Sequence, residues 1–387
     1  MAGVVILADE NIPFAREAFG TLGDVRLKHG RAITSADLRD VDVLVVRSIT
    51  RVDAALVAGT RVRFVGTATS GADHVAAAEL DRIGVASYAA LGCNANAVAE
   101  YMTAAWLAVA QRTGRSLRGL RVGVVGVGHV GSLVVEKARA LGMEPVLNDP
   151  PKARESGSPA YRPLEELLGC DIITLHTPLT FDGQDPTYRL IGEPFLSRLE
   201  PGAWFCSAGR GEVVDEEALH RALDAGRLGA CILDVWDHEP AIDPRLVTRA
   251  DIATPHIAGY SLEGKINGTA MVYDAACRFL GAAPSWRADA AAPPANVPLV
   301  TELAGGRREV DVLADIVGAV YPVMRDDAAL KSAVGLAGEA RGRAFDDLRK
   351  TYPTRREFRH TTVSVPGASA ALLGALRALQ FRIASQA

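Results

Sequence analysis

The chain has 387 residues, 49% hydrophobic and 23% charged, enough to bury large cores and to divide into two or three domains. A net charge of −4 and a pI near 6.1 give no electrostatic footprint for nucleic acid, while local arginines keep small anionic ligands open. Five widely spaced cysteines without a C-x-x-C pair argue against a disulfide framework or a zinc site, and no signal peptide or run of 18 apolar residues is present, so a soluble cytoplasmic protein with no membrane partner is expected.

In chain order, short β-rich runs at residues 4–8, 43–46, 64–66 and 85–88 alternate with helical stretches near 13–22, 53–58 and 75–83. Such alternation predicts a parallel sheet with helices on its faces. A long helix over 95–111 leads to a second α/β region. It opens with R-V-G-V-V-G-V-G-H-V-G, where a strand at 121–125 passes into a helix at 130–141. Gly126, Gly128 and Gly131 form G-x-G-x-x-G at that change of period. The first allows a tight turn, the second lets a pyrophosphate approach the backbone, and the third lets helix and strand pack closely. A strand at 144–147 ends at Asp149, 18 residues past Gly131, where a carboxylate accepts from both hydroxyls of an adenine ribose and repels a 2′-phosphate. This predicts NAD rather than NADP, with Lys152 and Arg154 as the opposing signal. Strands at 172–175, 203–206, 230–233 and 252–254 complete a doubly wound sheet. A helical run to about 280 is long enough to return to the first domain, which is then discontinuous. Residues 288–298, rich in Ala and Pro, read as a linker. The tail carries helical segments near 310–323, 340–350 and 369–378, a strand at 361–365 and one further possible strand at its extreme end.

Three polar groups stand at the ends of elements in the nucleotide-binding half. Arg210 in S-A-G-R-G has glycines on both sides, and a guanidinium there can fork onto a substrate carboxylate; a surface arginine in a tight turn is the plainer reading. Glu239 in D-H-E-P and His256 in T-P-H-I-A-G would form a carboxylate–imidazole pair able to take a hydroxyl proton. Taken alone, His256 is more often a satisfied structural histidine. Reading His238 and His256 with Asp237 and Glu239 as metal ligands lacks any H-x-x-x-H or H-E-x-x-H spacing, so no metal is expected. His176 in L-H-T-P either lines the nicotinamide pocket or packs. Arg47, Ser48 and Thr69 follow strands of the first domain, and for them ligand binding and loop capping stand side by side.

The glycine loop, Asp149, the G-R-G arginine, the E-P glutamate and the T-P-H histidine recur in the order found in D-isomer-specific 2-hydroxyacid dehydrogenases, which the chain resembles over residues 1 to about 285. That resemblance implies that Arg210 binds substrate, Glu239 pairs with His256, and His256 acts as acid or base. Cofactor contacts would fall at Gly126, Gly128, His129, Val130, Gly131, Asp149, Thr177, Asp234 and Gly259. The expected architecture is α/β: a Rossmann-type doubly wound dinucleotide domain (96–255) inserted in a flavodoxin-like substrate domain (1–95 and 256–287), followed by a C-terminal α+β domain (288–387).

L-A-D-E-N-I-P, V-R-S-I-T, F-V-G-T-A-T-S-G-A-D-H-V, G-C-N-A-N-A-V-A-E-Y and T-P-H-I-A-G-Y-S-L-E-G-K are similar to one branch of the family, which acts on a phosphorylated 2-hydroxy acid in vitamin B6 synthesis. The tail, with R-D-D-A-A-L-K and F-D-D-L-R-K-T-Y-P-T-R-R-E-F, looks like the dimerisation domain of that branch and implies a homodimer. Ser48, Thr69 and Tyr260 would then touch substrate. The phosphate calls for further arginines, with Arg47 the first candidate and the Arg355-Arg356 pair the second. His129 in place of an asparagine, Leu91 in place of a proline and S-A-G-R-G in place of an N-A-C-R-G-like run depart from the pattern without removing a catalytic group. The competing readings are a D-3-phosphoglycerate or glyoxylate/hydroxypyruvate type of dehydrogenase, or a protein that senses NAD without turnover.

Overall fold

Val43–Val46 and Ile172–Leu175 are buried along their whole length, as strands covered by helices on both faces must be. They belong to two separate parallel sheets in the computed structural model of the protein, which describes residues 3–288, 297–300 and 307–384. The chain divides into two compact units, Met1–Ala95 with Ser261–Pro294, and Asn96–Tyr260 with Ala295–Ala387.

The first unit holds β1 (Val5–Asp9), β2 (Asp24–Lys28), β3 (Val43–Val46), β4 (Phe64–Thr67) and β5 (Ala86–Ala89), all parallel, in the order β2-β1-β3-β4-β5. This is the flavodoxin-like order, with its switch point between β1 and β3. Strand β2 is absent from the sequence reading: it is an edge strand, D-V-R-L-K, with only its alternate residues turned inward. The helix Leu262–Leu280, whose N-terminus is capped by the Ser261 hydroxyl, packs so closely on β4 that a Cβ at Gly66 would stand 2.3 Å from Val272 Cγ1. The return to the first unit thus begins at Ser261, five residues later than the boundary at 256 expected from sequence.

The second unit is built on β6 (Arg121–Val125), β7 (Glu144–Asn148), β8 (Ile172–Leu175), β9 (Ala203–Ser207), β10 (Leu228–Leu233) and β11 (Ile252–Ala253). Their order is β11-β10-β9-β8-β6-β7, so the strand order reverses between β6 and β8, where an open α/β sheet binds its ligand beyond the carboxyl ends. In place of a further strand outside β7 there is a single bridge, Leu147 to Tyr161.

The tail shares this unit. It contributes a small parallel sheet of β12 (Val297–Val300), β13 (Thr361–Ser364) and β14 (Arg382–Ile383), and the helices Glu309–Val320, Val323–Ala333, Gly338–Lys350 and Ala370–Ala378. Two residues of the expected linker, 297 and 298, lie in β12, while 289–296 fall outside the described residues. The helix Val323–Ala333, preceded by Pro322 and carrying R-D-D, is a further element that the sequence reading passes over.

One apolar cluster runs through the unit. Tyr101, Met102 and Trp106 of the helix Ala95–Thr113, Val134 and Ala138 of the helix His129–Ala140, Val312, Ile316 and Val317 of the tail, and Leu372 and Leu376 beside them are all buried in it. Phe358 and Phe381 stack at 4.7 Å, and the buried Lys137 ammonium donates to the Leu379 carbonyl at 3.2 Å. A chain ended at Arg287 would expose this face to water, at about 1.5–3 kcal/mol for each large side chain uncovered. Such a protein should be recovered in aggregates rather than as a folded species; a monodisperse truncated chain in sedimentation, melting as the parent does, would contradict the shared core.

Candidate active site

At the end of β6 the chain turns through Gly126 with φ of 83°, and its N–H donates to the Asn148 carbonyl at 2.8 Å. A Cβ at Gly131 would stand 2.0 Å from the Gly126 carbonyl oxygen, so only glycine lets the helix His129–Ala140 meet the strand this closely. Gly128 differs: no atom lies within 4 Å of the position of its Cβ. It caps the helix N-terminus and leaves the approach to that helix open, with His129 exposed and Val130 half-buried behind it.

Asp149 closes the loop from the other side. One carboxylate oxygen accepts from Val127 N–H at 2.9 Å, and the other from Lys152 N–H at 3.1 Å as the cap of the helix Pro150–Ser156. Beyond it lies a cavity of about 730 Å³, lined by Gly126, Asp149, Pro150, Pro151, Tyr161 and Thr177 among others. The cations in the neighbourhood are engaged: Lys152 donates to the Val127 carbonyl at 2.6 Å, Arg154 forks onto Asp185, and Arg162 pairs with Glu166 at 3.7 Å. Thr177 Oγ1 and His176 Nδ1 are buried here without a protein partner. Burial drives the His176 imidazole down to about 3, so it is neutral, with Nε2 bonded to the Thr174 hydroxyl at 2.9 Å. The open side of Gly128, the lone acid at the strand end and these unpartnered groups fit a dinucleotide.

Arg210, Glu239 and His256 follow three adjacent strands, β9, β10 and β11. Arg210 is half-buried, and Gly211 beside it is pressed on the next loop, where a Cβ would fall 1.9 Å from the Trp236 carbonyl carbon. Glu239 accepts from Trp236 N–H at 3.1 Å through one oxygen and from His256 Nδ1 at 2.8 Å through the other. Burial pushes this carboxyl up, but the charge and hydrogen bond of His256 outweigh it and hold Glu239 below the usual range as an anion. His256 itself has φ of 54°, left-handed for a residue with a Cβ, which costs of order 1–3 kcal/mol.

The surroundings impose that conformation. His256 N–H donates to the carbonyl of Asp234 at 2.7 Å, while the buried Asp234 carboxylate accepts from the Thr254 hydroxyl, Ile257 N–H and Ala258 N–H at 2.6, 2.8 and 3.0 Å. Gly259 sits in the turn closed by Tyr260 N–H on the Ile257 carbonyl at 2.8 Å. Asp234 thus shapes the histidine loop, a role its position in the sequence does not announce. Glu216 supports the neighbouring loop by accepting from Asp237 N–H at 3.0 Å; burial, aided by Asp237 and Asp243, raises its carboxyl to about 7.

The structure also corrects one expectation. Arg355 is buried and faces inward: it donates to Glu100 at 3.0 Å, to the carbonyls of Tyr260, Ala97 and Ala258 at 3.0, 3.2 and 3.2 Å, and lies 4.1 Å from the centre of the Tyr321 ring. It braces the loop after His256, with four of its five N–H donors committed inward and its side chain buried away from a substrate phosphate. In the first unit, Arg47 follows β3 and donates weakly to the Asn11 carbonyl at 3.4 Å, Ser48 is exposed, and the Thr69 hydroxyl donates to the Gly71 carbonyl at 2.9 Å as a loop cap does.

Residues 89–258 match the family model described as the D-isomer specific 2-hydroxyacid dehydrogenase NAD binding domain, and residues 294–379 match one described as a domain of unknown function. Erythronate-4-phosphate dehydrogenase of Marinobacter nauticus is 42% identical over 383 residues, covering 98% of this chain and all of that protein. The enzyme of the same name from Azotobacter vinelandii is 47% identical over 97% of this chain and 98% of its own. Among solved structures, NAD-bound 3-phosphoglycerate dehydrogenase of Entamoeba histolytica aligns with a TM-score of 0.62 at 26% identity over 72% of this chain and 96% of its own. D-Lactate dehydrogenase of Aquifex aeolicus, at 24% identity and a TM-score of 0.59 over 72% of this chain and 95% of its own, shares the fold.

Two outcomes follow from this geometry. With Asp149 at the ribose position and Lys152 and Arg154 both occupied, kcat/KM with NAD should exceed that with NADP by at least tenfold; equal values would show that Asp149 does not read the ribose. Glu216 has a folded value near 7 against 4.5 when unfolded, so its contribution to stability is full below pH 4.5 and is lost as pH rises through 7. Glu216→Gln should therefore melt higher than the parent at pH 8, by roughly 1 to 3 kcal/mol, with the gap closing at pH 5. A difference in melting that does not change with pH would remove the assignment.

Proposed function

The chain belongs to the erythronate-4-phosphate dehydrogenases of the D-isomer specific 2-hydroxyacid dehydrogenase family, and on that premise we propose that it oxidises 4-phospho-D-erythronate at C2 to (R)-3-hydroxy-2-oxo-4-phosphobutanoate, with NAD, in the synthesis of pyridoxal 5′-phosphate. The observation that carries the chemistry is the 2.8 Å bond between His256 Nδ1 and Glu239. With Nδ1–H directed at an ionised carboxylate, the lone pair of the ring stands at Nε2. That atom takes the proton of the C2 hydroxyl, and Glu239 stabilises the imidazolium that results. Arg210 holds the C1 carboxylate in a fork and polarises the C2 oxygen as the carbonyl forms. NAD, when bound, supplies the acceptor for the hydride that leaves C2. Gly126, Gly128, His129, Val130, Gly131, Asp149, Thr177, Asp234 and Gly259 are the proposed cofactor contacts, and Arg47, Ser48, Thr69 and Tyr260 the proposed substrate contacts.

Identity of 42–47% across nearly the whole chain, tail included, supports this reading over a D-3-phosphoglycerate or glyoxylate/hydroxypyruvate enzyme. The paired His256 and Glu239 support turnover over a sensor of NAD. A homodimer through residues 288–387 is part of the same proposal; Met324 and Leu336 leave apolar surface exposed on the tail, and light scattering reads the mass directly. Among the described residues no helix is long and apolar enough to cross a membrane. A cytoplasmic location is proposed with the rest.

His256→Ala should abolish turnover while NAD still binds. Glu239→Gln removes the charge that favours the imidazolium, so the acid limb of the rate of oxidation should move to lower pH. An unmoved limb would mean that the pair does not act in the reaction.

A further inference from the structure

We propose that Arg349, on the tail helix Gly338–Lys350, binds the phosphate of the substrate beside the catalytic pair. The inference rests on the reading of the substrate given above and adds a residue to it.

The helix is placed along the two loops that carry the reaction. At Gly342 a Cβ would lie 3.6 Å from both the Pro240 side chain and the Pro240 carbonyl, so the helix backbone is in contact with the residue after Glu239. Just past the helix, Tyr352 packs edge to face on Tyr260 with ring centres 5.7 Å apart. Arg349 falls between these contacts. It is seven residues, two helical turns, beyond Gly342 and so shares its face. Its guanidinium lies 5.7 Å from the centre of the Phe345 ring and is hydrogen-bonded to the Tyr260 side chain.

The charge of this arginine is unmatched. It is half-buried, its Nε is buried without a partner, and among the described residues no carboxylate lies within ion-pair distance of it. Glu239 and Asp346 are the nearby anions; neither forms an ion pair with it, and both oxygens of Glu239 are committed, one to Trp236 N–H and one to His256. A partly desolvated guanidinium whose Nε–H has no partner calls for a ligand anion, and its planar fork matches a phosphate.

The position also suits a substrate charged at both ends. Arg210 comes from the loop after β9, inside β10 and β11, whereas the tail packs on β11 at the outer edge of the sheet, where Ala253 N–H donates to Asp327 at 2.7 Å. The two arginines therefore come from elements on different sides of the loops that carry Glu239 and His256, which suits a substrate with a carboxylate at C1 and a phosphate at C4. Arg349 does what the sequence reading asked of Arg355, six residues further on.

The test compares kcat/KM for 4-phosphoerythronate and for erythronate in the full-length parent, Arg349→Met and Arg349→Lys, with NAD saturating. The ratio of the two should fall about ten- to a hundredfold in Arg349→Met, through KM more than kcat, with part of the loss recovered by lysine, which keeps the charge but not the fork. Inhibition by inorganic phosphate should weaken in parallel. A merely structural role would lower both substrates together and leave the ratio as in the parent, which would overturn the inference, as would undiminished phosphate inhibition. If Arg349→Met does not fold, which its melting curve and NAD affinity report, the ratio in Arg349→Lys decides. A parent that does not prefer the phosphorylated acid would instead sink the assigned substrate.

Discussion

Asp234, buried at the end of β10, takes hydrogen bonds from the Thr254 hydroxyl and from the N–H groups of Ile257 and Ala258, while its own carbonyl receives the N–H of His256. Further along the same loop, Arg355 donates to the carbonyls of Ala258 and Tyr260. The loop that presents the His256 imidazole is thus held between the buried Asp234 carboxyl, which takes its N–H groups, and the buried Arg355 guanidinium, which donates to its carbonyls. Burial raises the Asp234 carboxyl, and the hydrogen bonds and the charge of His256 work against that rise. Buried charges that are fully satisfied add little net stability, but losing one partner is costly, about 3–5 kcal/mol, so such a clamp specifies one loop geometry.

That geometry keeps His256 in a left-handed conformation before any substrate arrives. Preorganisation of this kind spares the reaction the reordering of its base. The same economy appears at the other end of the sheet. Asp149 caps one helix, anchors the glycine loop through Val127 N–H, and still presents its carboxylate to the crevice at the switch point between β6 and β8.

The tail takes part in both the core and the site. Its helices complete the apolar cluster around Trp106, its Arg355 braces the histidine loop, and its helix Gly338–Lys350 lies against Pro240. A segment that reads from composition as a separate module after an Ala/Pro linker is therefore packed against the loops that carry Glu239 and His256. Compositional breaks mark where a chain is easily crossed by solvent, and do not record which core the next helices complete.

The sequence by itself determined the features that depend on neighbours along the chain. The glycine loop, the acid at the end of β7, the order of strands and helices, and the placing of Arg210, Glu239 and His256 after strands were legible because a turn, a period change or a strand end is local chemistry. Edge strand β2, half exposed, and the helix Val323–Ala333, broken by R-D-D, were not, since their apolar pattern is too weak without the partner surface. Tertiary structure alone decided what each charge faces. Arg349, Arg355 and Arg356 lie within eight residues and look alike in the sequence, yet Arg355 is spent on Glu100 and three carbonyls while Arg349 leans on Tyr260 near Glu239. The direction of a long side chain is set by the surface its helix or loop packs against, and that surface is assembled from residues far away in the chain.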